Sequence, residues 1–415
     1  RCSMKNLETL IQELCPDGVE FRTMEEIFEI RNGYTPSKNN PDFWEDGTIP
    51  WFRMEDIRQN GRILSDAIQH ITPAAIKGKG LFLANSIIIA TTATIGEHAL
   101  VIADSLANQQ FTNLMVRKSL SACLLPKFVF YYMFVIDEWC KKNVNAGNFA
   151  SVDMKRFKKL EFPLPPIKVQ TEIVRILDKF TSLEAELEAE LDCRKRQYEY
   201  YRDKLLSFDN EGGQEVEWKK MSEVGTFIRG KRFVRTDIVE EGVPCIHYGD
   251  IYTYYGLTAT KAKTYLKPEK AEKMKFASKN DVVIVGAGEN NMDIGVGVAW
   301  LSDEKVAIHD ACYIFKSKMN PRFVSHYLRG SNYHLQIKKY VCEGKICSIS
   351  SKSIGRSLIP VPSLQEQERI ATILDRFESL TTSLQTGLPA EITARRQQYE
   401  HYRDKLLTFK RKGAA

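Results

Sequence analysis

The sequence predicts an α+β protein in tandem pseudo-repeat: two α/β modules separated by two long, near-identical helices packed as an antiparallel coiled coil. Three observations carry that expectation. Gln197 to Phe208 (QYEYYRDKLLSF) returns as Gln398 to Phe409 (QYEHYRDKLLTF), with ten of twelve positions identical. Gln170 to Leu183 (QTEIVRILDKFTSL) returns as Gln367 to Leu380 (QERIATILDRFESL), with eight of fourteen identical. The segments ahead of these blocks have equal length, because Val19-Glu20-Phe21 and Val216-Glu217-Trp218 lie 197 positions apart, as do Pro163-x-Pro165 and Pro360-x-Pro362. Each half is a variable module followed by a constant one, the mark of an internal duplication.

Taken in chain order, residues 1–20 form a short leading segment and residues 21–165 the first variable module. Its β-rich runs, such as Ser86 to Ala90, sit among Gly, Asn and Pro turns, and Phe128 to Asn143 reads as one amphipathic helix closing the module. Residues 166–217 hold the first constant helix. From Gln170 to Phe208 no Gly or Pro interrupts 39 residues, and Ile173, Leu177, Phe180, Leu187, Leu191, Tyr198, Tyr201, Leu205 and Phe208 recur mostly three and four apart. At 1.5 Å per residue, one helix of about 58 Å is expected. Residues 218–362 repeat the module, with runs at Asp281 to Val285 and Val298 to Trp300 and a closing helix over Phe323 to Tyr340. Residues 363–415 repeat the helix with four extra residues and with Gly387-Leu388-Pro389 inside it, where a break is expected.

Composition narrows the class. The 415 residues are 43% hydrophobic and 27% charged, which excludes disorder and small disulfide scaffolds. A net charge of +6, from 59 basic and 53 acidic residues, permits a nucleic-acid partner without demanding one. Nine cysteines without a C-x-x-C pair read as reduced thiols of a cytoplasmic protein. The most apolar stretch, Ser121 to Ile136, is interrupted by Pro126 and Lys127, so no membrane partner is expected.

The alternation of two variable modules with helices carrying ILDKF and QYEYYRDKLLSF, then ILDRF and QYEHYRDKLLTF, resembles the specificity subunit of type I restriction-modification systems. Gly33 to Trp51 (GYTPSKNNPDFWEDGTIPW) is similar to the opening of one class of their target-recognition domains. The resemblance implies that each module is a target-recognition domain reading one half of a bipartite site on double-stranded DNA. It implies two modification (methyltransferase) subunits docked on the helices, with restriction (translocase and nuclease) subunits completing the complex. No cofactor is expected on this chain, S-adenosylmethionine belonging to the methyltransferase partners. Leu7 to Phe21 also looks like Asp203 to Trp218, as in the circular organisation of that family, where the two chain ends together complete one helical region. The second module has Gly230-Lys231-Arg232-Phe233 where the first has Gly33-Tyr34-Thr35-Pro36, so the half-sites are expected to differ.

Catalytic and metal-binding patterns are not expected. The sequence has no Asp/Asn-Pro-Pro-Tyr/Phe, no phosphate-loop G-x-x-x-x-G-K-[ST] and no H-E-x-x-H. His309-Asp310 imitates part of a dyad, but the matched Asn108-Gln109 cannot act as one.

Base readout needs Arg for guanine and Asn or Gln for adenine, backed by cations on phosphates. Such residues occur at matched loops of the two modules. Tyr34, Thr35, Ser37 and Lys38, matched by Lys231 and Arg232, form a polar loop expected to touch phosphates, with helix or strand capping an equally good account; Arg53 and Met54 face His247 and Tyr248. Thr91, Thr92 and Thr94 face Asn290 and Asn291; Asn108, Gln109 and Gln110 face His309 and Asp310. A last loop carries Asn148 and Ser151 in one half, Lys345 and Ser348 in the other. Thr and Asn in loops also commonly satisfy backbone groups, an equally good account of any one of them. Trp44, Trp51, Trp218 and Trp300 read as core or boundary packing. On the constant helices, Tyr198, Tyr201, Arg202, Asp203, Tyr399, Tyr402, Arg403 and Asp404 repeat almost unchanged and are candidates for docking a protein present twice. The competing class is a coiled-coil scaffold joining two protein-binding modules.

Overall fold

In the computed structural model the described residues are 2–145, 150–208, 216–382 and 387–413, with side chains described from residue 7 onward. They form two compact units: Arg1–Ala185 with Ala394–Ala415, and Glu186–Thr393.

The first unit is built on a five-stranded sheet. Its order is Phe28–Asn32, Phe111–Val116, Ser86–Ala90, His98–Val101 and Ile63–Leu64, antiparallel except for the last pair. The central run Ser86-Ile-Ile-Ile-Ala90 is buried at every position, which its β-branched composition suits. Alternation sends Ile87 and Ile89 into one core, with the helix Pro126–Lys142, Phe28 and Phe162. Ile88 and Ala90 enter another, with Trp51, Phe52 and Phe111. A three-stranded sheet, His70–Ile71, Ile49–Phe52 and Leu106–Ala107, belongs to that second core.

The second unit repeats this sheet as Gly225–Arg229, Cys312–Ser317, Val282–Val285, Gly297–Trp300 and Thr258–Ala259. Its smaller sheet has grown to five strands, adding Ile238–Val239 and Phe276–Ala277 around Thr264–Leu266, Val243–Ile246 and Val306–Ile308. The closing helix departs from expectation. Where the first unit has one helix of 17 residues, the second has two, Pro321–Tyr327 and Ser331–Lys338. Gly330 is extended and caps the new start, and the Ser331 N–H donates to Asp203 Oδ1 at 3.2 Å.

The first constant helix runs from Ile167 to Ser207, 41 residues without interruption. Its second copy is two helices, Leu364–Thr382 and Leu388–Leu406, so the break comes where Gly387-Leu388-Pro389 predicted it. A side chain at Gly387 would stand 2.6 Å from the Ser379 carbonyl oxygen, so the chain passes there only without one.

Each unit takes the head of one constant helix and the tail of the other. In the first, Phe180 stacks on Tyr402 at 5.5 Å and 27° and meets Tyr399 at 6.4 Å, while Glu184 pairs with Arg396. Contacts that descend one helix as they climb the other make the pairing antiparallel. The second unit repeats it: Phe377 stacks on Tyr201 at 5.5 Å and 24°. Each head is bolted to its module by a buried glutamine. Gln170 accepts the Leu125 N–H at 2.9 Å and donates to the Cys123 and Pro165 carbonyls at 2.7 Å. Gln367 accepts the Asn320 N–H at 2.8 Å and donates to the Pro362 carbonyl at 2.8 Å. About two turns further on, Asp178 receives Lys127 at 2.6 Å and the Tyr131 hydroxyl at 2.7 Å, and Asp375 receives Arg322 and His326.

The chain ends meet in the first unit. Val19 N–H donates to the Lys410 carbonyl at 2.8 Å, Lys412 N–H donates to the Val19 carbonyl at 2.9 Å, and Leu7 shares a core with Leu406 and Leu407. Gly18, at φ +96°, packs against the Arg411 backbone so closely that a Cβ would fall 2.7 Å away.

Candidate nucleic-acid interface

The polar loops of each module are organised around one crossing. Gly33 passes so near the 107–108 backbone that a Cβ would lie 2.3 Å from the Ala107 and Asn108 carbonyl oxygens. Gly230 makes the same crossing, 2.1 Å from the His309 carbonyl oxygen. Only glycine permits that approach, which explains why this pair survives where the modules otherwise diverge.

In the first module the crossing brings four of the predicted loops together. Thr35 Oγ1 donates to Gln109 Oε1 at 2.5 Å, and Asn108 Oδ1 accepts the Gln110 N–H at 3.1 Å. Thr91 N–H donates to the Gln110 carbonyl, Val152 N–H donates to the Thr91 carbonyl, and Thr92 bridges Ser151. Gln109, Ser37 and Lys38 are exposed there, with Thr35, Asn108, Gln110, Thr92 and Ser151 half-buried.

Other candidates on these loops are committed inward. Met54 is a core residue and Thr91 is buried, its hydroxyl donating to Thr112, which donates to Asn32. Neither presents a side chain to a ligand, a correction to their place among the readers: Met54 packs beneath the loop and Thr91 serves the ladder. The Tyr34 hydroxyl donates to the Ala75 carbonyl and accepts the Lys77 N–H, so it ties loops together. Arg53 lies over the Trp51 ring and pairs with Glu55 at 3.0 Å. The Thr94 hydroxyl is enclosed. Asn148 lies outside the described residues.

The second module fills the same corner with aromatic chemistry. His247 and His309 face each other at 4.7 Å, Tyr248 lies 4.3 Å from His247, and Phe233 meets His309 edge-on at 4.8 Å. His309 Nε2–H donates to the Phe233 carbonyl at 3.2 Å and its Nδ1 accepts the Ala311 N–H at 3.1 Å, which fixes a neutral tautomer. Burial lowers the pKa of both histidines, and His247 lowers that of His309 further. With both ring nitrogens occupied, His309 is a rigid wall, although Asp310 stands 3.3 Å away. Lys231 and Arg232 are exposed at the crossing. Asn290 caps the turn Asn291–Asp293, and Asn291 donates to Glu343 at 2.7 Å, joining this loop to the one that bears the exposed Lys345. Ser348 pairs with Ala287, matching the Thr92 bridge to Ser151.

The repeated residues of the constant helices have partners inside their own units. Tyr198 donates to His326 Nδ1 at 3.1 Å, and burial pushes its pKa up to about 12. Burial does the same to Tyr399. Arg202 lies over Tyr198 at 5.6 Å and pairs with Asp203; Arg403 lies over Tyr399 at 5.7 Å and pairs with Asp404. Tyr201 and Tyr402 supply the two stacks. Their repetition therefore has an internal cause. The exposed face of the tails includes Tyr201 and Asp404 from this set, together with Glu199, Tyr200 and Lys204 in one copy and Glu400, His401 and Lys405 in the other. Phe233 and Glu343, which lie in the matched loops but outside the expected readers, take their roles from contacts across the fold.

Among the described residues no cluster of His, Cys, Asp or Glu could hold a metal ion, and no helix is long and apolar enough to cross a membrane.

Comparison with known proteins places this geometry. A family model described as type I restriction modification DNA specificity domain matches twice, over residues 16–192 and 214–394. The chain is 38% identical over 383 residues to the type I restriction enzyme EcoprrI specificity subunit of Escherichia coli, covering 89% of this chain and 90% of that one. It is 37% identical over 312 residues to the EcoR124I/EcoR124II specificity subunit of the same organism, covering 69% and 71%. A solved structure described as "Structural basis underlying complex assembly and conformational transition of the type I R-M system" shares the fold with a TM-score of 0.62 at 16% identity, covering 94% of this chain and 97% of that one. The HsdS subunit of Thermoanaerobacter tengcongensis matches with a TM-score of 0.51 at 16% identity, covering 95% and 97%.

Proposed function

The chain belongs to the type I restriction-modification DNA specificity family, with two copies of its domain, and from that premise we propose that its modules read the unlike halves of one split duplex target. The observation that carries this is the shared crossing at Gly33 and Gly230 surrounded by unshared chemistry. Around the first stand Thr35, Asn108, Gln109 and Gln110, neutral groups able to donate and accept as adenine requires. Around the second stand Lys231, Arg232, His247 and His309, a cationic and aromatic set, with the Asp310 carboxylate beside His309. Equal frames with different side chains are what two readers of different half-sites need.

The paired helices set the spacing and offer their outer faces to two modification subunits, which restriction subunits join. S-adenosylmethionine is assigned to the modification subunits, and this chain is assigned no catalytic step. A family of restriction enzymes and buried thiols such as Cys140 and Cys312 suit a cytoplasmic setting.

The experiment is selection from a random duplex library by the chain assembled with its modification subunits, followed by a methyl-transfer assay. The expected target is two unlike half-sites around a fixed gap, methylated by the assembly and not by this chain alone. A single continuous site, or turnover by the isolated chain, would overturn the proposal.

A further inference from the structure

We propose that the loop Lys77-Gly78-Lys79-Gly80 of the first module is a separate clamp for the phosphodiester backbone of DNA, placed beside the Thr35 to Gln109 reading edge. The inference rests on the DNA-recognition reading above and adds a site to it. The loop forms one wall of a cleft of about 430 Å³ whose other wall includes Asn32, Tyr34 and Thr35. A phosphate entering that cleft would sit next to the hydroxyl that holds Gln109.

The loop is held in shape by two side chains that also line the cleft. Arg31 donates to three successive carbonyls, Lys79 at 2.9 Å, Gly80 at 3.0 Å and Leu81 at 2.8 Å, while lying over the Phe82 ring at 5.0 Å. The Tyr34 hydroxyl receives the Lys77 N–H at 2.8 Å. Arg31 also lines the cleft, and three of its five N–H donors are committed to the loop backbone, so it positions the loop. Gly78 and Gly80 take left-handed conformations, φ +61° and +79°, and a Cβ on either would meet nothing within 4 Å. The glycines serve the turn and leave its backbone open to a bulky anion.

The two ammonium groups are available. Lys79 is exposed and stands 3.6 Å from an exposed Glu29 carboxylate, a pair of the kind that contributes little. Lys77 Nζ lies 6.0 Å from the centre of the Phe43 ring. The second module keeps two exposed lysines in the matching stretch, Lys273 and Lys275, but not the frame that shapes the loop: Ile228 stands at the position matching Arg31, and buried Met274, following the helical turn Pro268–Ala271, stands between the lysines where the first module has Gly78.

Phosphate contacts release counterions, so each contributes about −0.9 to the slope of log K against log[salt] on duplex DNA and carries no sequence information. The test measures that slope for the full chain on a random-sequence duplex, comparing wild type with Lys77→Gln, Lys79→Gln and the double variant. The expected result is a slope shallower by about 0.9 in each single variant and about 1.8 in the double, with the sequences selected from a random library unchanged. Lys79→Arg should keep the wild-type slope, and Glu29→Gln should tighten binding. A steep wild-type slope that the double variant leaves intact would overturn the clamp, as would an altered selected sequence. A flat wild-type slope would instead reject the DNA-recognition reading on which it rests.

Discussion

At the scale of single residues, the reading edge separates groups that display from groups that hold. Gln109 is exposed and oriented by Thr35, whereas Thr91 and Met54 lie beneath the same surface. Gln109→Ala is expected to relax one base position of one half-site, at about 1–3 kcal/mol of discrimination, while the other half-site stays as it was; library selection checks it. The histidine corner of the second module adds a pH dependence. Burial lowers the pKa of His247 and His309 in the folded state, so the unfolded chain binds protons more readily. Stability is therefore fully present above the unfolded value near 6.5 and falls as pH drops through it. His326 and His334, lowered mainly by burial, act in the same direction. Thermal unfolding followed from pH 8 to pH 5 should show this loss, and the double variant His247→Gln, His309→Asn should show less of it. An unchanged pH profile in that variant would reject the assignment.

At the scale of elements, the constant helix and its module are joined through buried polar contacts as well as an apolar stripe. Gln170→Ala would leave the Leu125 N–H and the Cys123 and Pro165 carbonyls without their partner in a buried site. Each group left unpaired costs about 1–3 kcal/mol, so a large loss in urea-unfolding stability is expected. Exposed Glu199→Ala should change it little, and equal effects would argue against the bolt. Much of this level was legible in advance. Freedom from Gly and Pro over the 39 residues Gln170 to Phe208 predicts the long helix, which runs Ile167 to Ser207, and Gly387-Leu388-Pro389 predicts the break in its copy. Apolar spacing over Phe323 to Tyr340 predicts one closing helix, but the chain breaks it at Arg329-Gly330. Glycine followed by serine is a stop and start signal, and Asp203, distant in sequence, satisfies the exposed N–H there. Retention of Glu199, Asp203 and Lys204 off the apolar stripe points to a second surface, and the packing adds an internal reason for the repetition of Tyr198, Tyr201 and their copies, while Tyr201 and Asp404 stay exposed.

At the scale of the whole molecule, the duplication makes recognition modular. Replacing residues 21–165 with the matching module of a relative should change one half of the selected target and leave the other, because the buried bolts at Gln170 and Gln367 belong to different units. A change in both halves would show that the modules do not read independently. The duplication itself, the equal module lengths, the long helices and the general location of the polar loops were determined by sequence alone, since repeats and periodicity are local patterns. Only the tertiary structure decided which head pairs with which tail. The tails differ at two of twelve positions and their apolar stripes are equivalent, so periodicity cannot choose between partners. That choice is made by contacts remote in sequence: Phe180 on Tyr402, Phe377 on Tyr201, and the Val19 backbone bonded to Lys410 and Lys412, which joins the two chain ends without a covalent link.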